Sequence, residues 1–253
     1  MILNLRGRLG NQIILIAYAM SQAKVPCINT NAVSLRKQLK DMPNVRFIDS
    51  LTINYFFGVL RKAASLIKGK PVDIKVGGFY DGYFQYGNIT NIIPAGLIEH
   101  IKEKIVFDSN IENVDVVLHI RGADYFLSKS ERIYEICDAD YYMRGLNLAL
   151  RLINKNMPDV FVVTNDGNYS SKIIERIKTV YHGRINFVVY SKNEWDDFSL
   201  IYRANIAIIS NSTFSMAARL LDKKTTIAPR QWFTKASKLN SPYANNFTYL
   251  DNK

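Results

Sequence analysis

The sequence predicts an α/β fold built on parallel sheets, and three observations carry that expectation. Short apolar runs that read as strands alternate with longer runs that read as helices almost from end to end, the signature of repeated βα units. Several strand-like runs are continuously apolar, as in Val116-Val117-Leu118 and Ile206-Ala207-Ile208-Ile209, which suits strands covered on both faces. Polar and glycine-bearing segments follow these runs, above all His119-Ile120-Arg121-Gly122-Ala123-Asp124-Tyr125. In open α/β sheets ligands bind beyond the carboxyl ends of strands.

Element by element, residues 2–5 read as a strand and residues 11–24 as a helix with a mostly apolar face. A short strand at 26–29 precedes a basic helix at 33–40, then a strand at 45–48 and a helix at 55–68. Gly69-Lys70-Pro71 ends that helix, since proline cannot continue one. Gly77, Gly78, Gly82 and Gly87 then punctuate an aromatic-rich segment, read as a loop, with Phe79, Tyr80, Tyr83, Phe84 and Tyr86. A helix follows at 97–105. The second half is more regular, with strands at 114–120, 160–164, 185–190, 206–210 and 225–228. Helices at 140–154, 171–180, 196–203 and 213–221 separate them. Residues 108–113 read as the linker between halves, which sets domains of 1–107 and 108–253. That length suits one large domain or two small ones.

Hydrophobic residues make up 48% of the chain, enough for a packed core and against disorder. The net charge of +11 favours polyanions, anionic surfaces or a phosphorylated substrate. The basic residues are scattered rather than clustered, which weakens a nucleic-acid reading. Cys27 and Cys137 lie far apart without metal-ligand spacing, and His100, His119 and His182 are too scattered for a zinc site. Both cysteines read as reduced core residues of a cytoplasmic protein. Arg6 and Arg8 ahead of the apolar run Ile13-Ile14-Leu15-Ile16 imitate a signal peptide. Apolar Met1-Ile2-Leu3 before the charges and the turn at Gly7 and Gly10 fit strand, loop and helix better.

Five segments carry candidate chemistry, beginning with the stretch at His119. In the first, Arg121 offers a planar fork for phosphate oxygens, His119 a hydrogen bond to a phosphate or sugar hydroxyl, and Asp124 a proton acceptor or an orienting partner for Arg121. Arg6-Gly7-Arg8-Leu9-Gly10-Asn11-Gln12 joins the first strand to the first helix, where glycines admit close backbone approach; taken alone, a simple tight turn is the favoured explanation. Ser210-Asn211-Ser212-Thr213-Phe214 opens a helix, as a capping sequence or as an anion site. Thr164-Asn165-Asp166-Gly167 ends a strand and suits a base, a ribose or a polar turn. Asp138-Ala139-Asp140 has the spacing of a metal-binding D-x-D, yet it opens a helix, where acidic residues are favourable anyway.

In order and nearly end to end, these segments resemble the α-1,2-fucosyltransferases of bacterial surface-polysaccharide synthesis, a glycosyltransferase family 11-like group. Gly7-Arg8-Leu9-Gly10-Asn11-Gln12 resembles the family's glycine loop, Gly82-Tyr83-Phe84-Gln85 its aromatic motif, and His119-Ile120-Arg121 with Asp124-Tyr125 its H-x-R-R-x-D-Y signature. Asp140-Tyr141-Tyr142, Thr164-Asn165-Asp166, Asp197-Phe198-Ser199, Asn211-Ser212-Thr213-Phe214-Ser215 and Ile227-Ala228-Pro229 with Trp232-Phe233 continue the match. The second arginine of the signature is Gly122 here, the next glycine is Ala123, and Met216-Ala217 replaces an aromatic pair.

The resemblance implies a GT-B-like α/β fold, two Rossmann-type halves facing across a cleft. It implies an inverting transfer of L-fucose from GDP-fucose to the 2-hydroxyl of a galactoside in O-antigen or capsule synthesis. No cofactor and no metal are expected, and no nucleic acid. The expected partners are GDP-fucose and an oligosaccharide acceptor on a lipid diphosphate, with possible peripheral membrane contact at the inner face of the cytoplasmic membrane. Arg121, Asp124 and His119 take the catalytic roles. Arg121, His119, Asn165, Asp166, Asn211, Ser212, Thr213 and Phe214 take the donor, and Gly10, Asn11 and Gln12 lie on the acceptor side. The alternatives are a same-fold transferase with another nucleotide sugar, a D-x-D enzyme, and a non-catalytic basic binding module.

Overall fold

The computed structural model describes residues 1–31, 33, 35–68, 73–84, 87–89, 93–105, 111, 114–122, 133–190, 192–222, 224–237 and 239–253. Asp124 and most of the expected linker at 108–113 lie outside them. The chain divides into two compact units, Met1–Gln85 with Ile89–Ile105, and Tyr86–Asn88 with Val106–Lys253. Each is an α/β unit built on a largely parallel sheet, the class the sequence predicts.

Among its described residues the first unit forms a five-stranded sheet. It contains β1 (Ile2–Asn4), β2 (Cys27–Asn29), β3 (Arg46–Ile48), β4 (Ile74–Val76) and β5 (Phe79–Asp81) in the order β3-β2-β1-β5-β4. All neighbours are parallel except β4, which pairs antiparallel with β5. Helix α1 (Leu9–Gln22) buries Leu9, Ile13, Ile14, Leu15 and Ile16. A helix so apolar on every side needs cover all round. Helices α2 (Leu51–Lys68) and α3 (Ala95–Lys104) complete the unit. Two expectations change here. Of the basic helix expected at 33–40, the described residues form only a single 3-10 turn at Lys37–Leu39. Such a short segment is marginal by itself, and only Leu39 of that turn is buried to reward it. The aromatic segment expected as a loop contributes the β4–β5 hairpin, and β5 is a central strand beside β1. Two of its rings pack against the helices: Phe84 stacks on Tyr18 at 4.6 Å, and Phe79 meets Phe56 and Phe57.

The second unit, among its described residues, is a six-stranded parallel sheet. Its strands are β7 (Val116–Ile120), β8 (Asp159–Thr164), β9 (Asn186–Val189), β10 (Ile206–Ile208), β11 (Thr225–Pro229) and β13 (Phe247–Leu250), in the order β13-β11-β10-β7-β8-β9. A separate two-residue pairing joins β6 (Gly87–Asn88) to β12 (Pro242–Tyr243). Counted from β7, the large sheet runs 6-5-4-1-2-3, the dinucleotide-binding order with its reversal between the first and fourth strands. Helices α4 (Ala139–Leu152), α5 (Gly167–Val180), α6 (Glu194–Arg203) and α7 (Thr213–Leu220) connect the strands. The core joins Val116, Leu118 and Ile120 of β7 to Val160 and Val162 of β8, Ile208 of β10, and Tyr141, Tyr142 and Leu146 of α4. The sequence stopped the sheet at β11, whereas β13 adds an edge strand in register Thr226↔Phe247 to Pro229↔Leu250.

Arg219 of α7 is fully buried and fully engaged. It donates to the carbonyls of Ile201, Tyr202, Ala204 and Thr225 and to Thr226 Oγ1. It therefore ties the end of α6 and the start of β11 to α7, the helix that opens beside the candidate site.

Candidate functional site

The reversal point of the large sheet lies between β7 and β10. Because successive strand residues face opposite sides, His119 points away from Leu118 and Ile120 and the α4 core. It is 3% exposed. Ser210, just past β10, sets its Oγ 3.0 Å from His119 Nδ1. One face of the imidazole meets Phe214 of α7 at 5.8 Å, and Phe214 packs edge-on against Phe198 of α6. From the other side of the sheet the Tyr142 hydroxyl donates to the His119 carbonyl at 3.1 Å. Ser210 and Phe214 thus hold the ring, while Tyr142 fixes its backbone and Phe198 backs Phe214.

Burial, with the nearby Arg121 guanidinium second, lowers the His119 pKa to about 3. The ring is neutral at ordinary pH and works by hydrogen bonding rather than by charge. The same shift links the site to stability. Below pH 6.5 the unfolded chain takes up a proton that folded His119 refuses until about 3. Its stabilisation is full above the unfolded value and is lost as pH falls through that window, by at most about 1.4 kcal/mol per pH unit. Denaturant melts at neutral pH and near about pH 4.5 should show wild type losing about 2 kcal/mol more than His119→Gln.

Arg121 follows β7 directly and is partly exposed, with Gly122 buried behind it. Gly122 N–H donates to Asn165 Oδ1 at 3.1 Å, so the loops after β7 and β8 are joined. Asp166 is the N-cap of α5, its Oδ1 accepting from Tyr169 N–H at 3.0 Å. An added Cβ on Gly122 would lie 2.8 Å from Asp166 Oδ2 and 2.9 Å from its Cβ. The departure from the H-x-R-R pattern therefore has a local partner: the space beside residue 122 is filled by the Asp166 side chain. Gly122→Ala should displace that cap and cost about 1–2 kcal/mol. Adding Asp166→Ala should cost less than the sum of the two single changes, a non-additivity that a double-mutant cycle measures.

Beyond β10, Asn211 is a clamp. Its Nδ2 donates to the carbonyls of Glu135 and Trp232, the latter at 3.0 Å. It fastens the segment before α4 and the segment after β11 to the loop that carries Ser212 and Thr213. Ser212 is the N-cap of α7 and makes no side-chain cap hydrogen bond. The chain's end is stapled nearby: Asn252 exchanges hydrogen bonds with Gln231, and Lys253 pairs with Glu135 at 2.9 Å. Both carboxylates of Asp138-Ala139-Asp140 have structural partners. Asp138 caps α4 through Tyr141 N–H at 2.9 Å, and Asp140 accepts from Arg176 at 2.7 Å.

The structure thus brings together His119, Arg121, Asn165, Asp166, Asn211, Ser212, Thr213 and Phe214 along the carboxyl edge of β7, β8 and β10. Gly10, Asn11 and Gln12 lie in the first unit, in α1. There Gly7 adopts φ +72°, and Gln12 braces it: Nε2 donates to the Gly7 carbonyl and Oε1 accepts from Arg36 N–H. The sequence reading gave no role to Tyr142 or Gly122, whose tasks depend on contacts 23 and 43 residues away. The first unit has a reversal point of its own, between β1 and β5. Arg6, just after β1, meets Asp81, the last residue of β5, through Nε at 2.6 Å and an amino nitrogen at 3.2 Å. Arg61 of α2 reaches the same carboxylate at 2.6 Å, and Asn4 Nδ2 donates to it at 3.1 Å.

The sequence model described as glycosyl transferase family 11 matches residues 67–251. No curated relative matches the chain. Among solved structures it is similar to the NodZ alpha-1,6-fucosyltransferase soaked with GDP-fucose, at 12% identity over 87% of this chain and 92% of that one, TM-score 0.45. It is similar to POFUT1 in complex with GDP, at 11% identity over 98% and 97%, TM-score 0.45. It is also similar to a glycosyl transferase family 9 protein from Veillonella parvula DSM 2008, at 11% identity over 99% and 85%, TM-score 0.45.

Proposed function

The chain belongs to glycosyl transferase family 11, and on that premise we propose that it transfers L-fucose from GDP-fucose to the 2-hydroxyl of a galactoside acceptor, with inversion. The observation that carries this reading is the neutral, fixed His119 beside Arg121 at the reversal point of a six-stranded parallel sheet, where such sheets take nucleotides.

The reaction is a direct displacement. The acceptor hydroxyl attacks the sugar carbon opposite the nucleotide, the carbon–oxygen bond to GDP breaks, and a proton leaves the hydroxyl. The transition state resembles an oxocarbenium ion, and negative charge grows on the departing diphosphate. Arg121 and the N-terminus of α7 at Ser212 and Thr213 meet that charge. With Nδ1 on Ser210, His119 has Nε2 left for a phosphate or sugar oxygen. Asn165 and Asp166 shape the loop edge beside the nucleoside, and Phe214 sets the ring plane of His119. Asp124, outside the described residues, is the carboxylate proposed to take the proton or to orient Arg121. Charge neutralisation by a guanidinium and helix N–H groups needs no metal or cofactor in this scheme. Gly10, Asn11 and the Gln12-braced loop are proposed for the acceptor, an oligosaccharide on a lipid diphosphate in O-antigen or capsule synthesis, used at the cytoplasmic face.

A second reading keeps the fold and reaction but changes the donor sugar, and the Gly122–Asp166 contact favours testing it. Transfer assays with GDP-fucose, GDP-mannose, UDP-galactose and dTDP-rhamnose, with and without EDTA, separate the two. Turnover with GDP-fucose that survives EDTA supports the first reading. Turnover with another sugar alone supports the second.

A further inference from the structure

Helix α2 carries two unlike faces. Ile53, Phe57, Leu60 and Ala64, spaced by four, three and four, turn toward the unit, with Phe57 fully buried. The opposite stripe is Leu51, Tyr55, Val59, Lys62 and Leu66, spaced by four, four, three and four, and every one of them is exposed. Leu51 is 72% exposed, Tyr55 75% and Leu66 78%. Of the thirteen large apolar side chains exposed among the described residues, five belong to this helix, Phe56 being the fifth. Apolar residues scattered singly over a surface need no explanation, but a contiguous row does. Phe56 extends the row, since its ring lies 6.0 Å from Phe79 of the β4–β5 hairpin, where Val76 at the end of β4 is exposed.

The charge around the stripe selects what covers it. From residue 51 to residue 72 the sequence has no Asp or Glu, and besides Arg61, which pairs with Asp81, it has Lys62, Lys68 and Lys70. A second copy of this chain would bring like charge against like charge, and the whole protein carries +11. An anionic bilayer supplies both requirements, acyl chains for the apolar row and negative headgroups for the lysines. Tyr55 suits the headgroup boundary, with an apolar body and a polar tip. No described helix is long and apolar enough to cross a membrane; the two unlike faces of α2 suit a helix lying in the interface.

We propose that α2 is a membrane-docking helix that lies flat on an anionic phospholipid surface, with Leu51, Val59 and Leu66 in the acyl boundary and Tyr55 at the headgroups. This goes beyond the donor chemistry and stands or falls separately from it. The test is co-sedimentation of the full chain with vesicles of phosphatidylglycerol and phosphatidylethanolamine in equal parts, and with vesicles of phosphatidylcholine alone. The expected result is binding to the anionic vesicles, at least about tenfold weaker binding to phosphatidylcholine, and steep loss with salt. The triple variant Leu51→Ser, Tyr55→Ser, Leu66→Ser should bind at least about tenfold more weakly with an unchanged thermal melt, because these side chains are exposed. The inference is overturned if wild type stays in the supernatant or if the triple variant binds equally well. It is also overturned if the chain dimerises and those substitutions abolish the dimer. A transfer assay on a soluble acceptor reports the donor reading independently, since the triple variant should keep wild-type turnover there.

Discussion

Arg121→Ala should lower turnover by at least about a hundredfold while the protein stays folded. Removing one preorganised donor from the oxygens that gain charge typically costs about 2.7–4 kcal/mol of barrier. Arg121 is partly exposed and follows β7 rather than lying in the core, so its loss does not open a cavity. Its neighbour reports the change as well. Arg121 is one of the two causes that lower the His119 pKa, so the variant's imidazole should titrate higher, at a value still below the usual histidine range because burial is the larger cause. Arg121→Lys should recover only part of the activity, since a point charge replaces a two-pronged fork. Near-wild-type turnover in Arg121→Ala would remove the residue from the mechanism.

Asp81→Asn should be the most damaging single change in the first unit, at about 3–5 kcal/mol. The Asp81 carboxylate is fully buried and is shared by Arg6, Arg61 and Asn4. Burial lowers the Arg61 pKa more than Asp81 raises it. The cluster is thus no surplus of stability, and its importance is that removing the carboxylate leaves two guanidiniums facing each other. Asparagine keeps the shape and discards the charge. Denaturant melts should place the variant far below wild type, and Arg61→Gln in that background should restore part of the loss. A loss under about 1 kcal/mol would mean that the arginines are solvated well enough to need no counter-ion.

How much of this was legible beforehand follows from where the signal lies. The second unit was readable almost strand by strand, because β7, β8 and β10 lie in continuously apolar runs followed by polar loops. Parallel pairing then follows from the alternation of strands with helices. The first unit was harder. β5 is three residues flanked by glycines and aromatics, and glycine reads as a break whether it bounds a loop or a short central strand. The expected basic helix failed because periodicity in a short segment cannot show whether anything packs against it. At the site, residue types were visible and their partners were not. Nothing near Gly122 in sequence announces that Asp166 fills its missing side chain. The exposure of Leu51 or Leu66 was equally hidden, since an apolar residue in a helix is expected to face inward.

The central claim is that the carboxyl edge of β7 and β10 receives the diphosphate of a guanine nucleotide. A thermal-shift titration with GDP, GDP-fucose and UDP, run on wild type and on Arg121→Ala, tests it most directly. Ligand at about a hundred times its Kd stabilises the native state by about 2.7 kcal/mol. Both GDP compounds should therefore raise the wild-type Tm by several degrees, UDP should fall well short of them, and Arg121→Ala should lose the shift. Equal stabilisation by UDP, no stabilisation by GDP, or a full GDP shift in Arg121→Ala would contradict the claim.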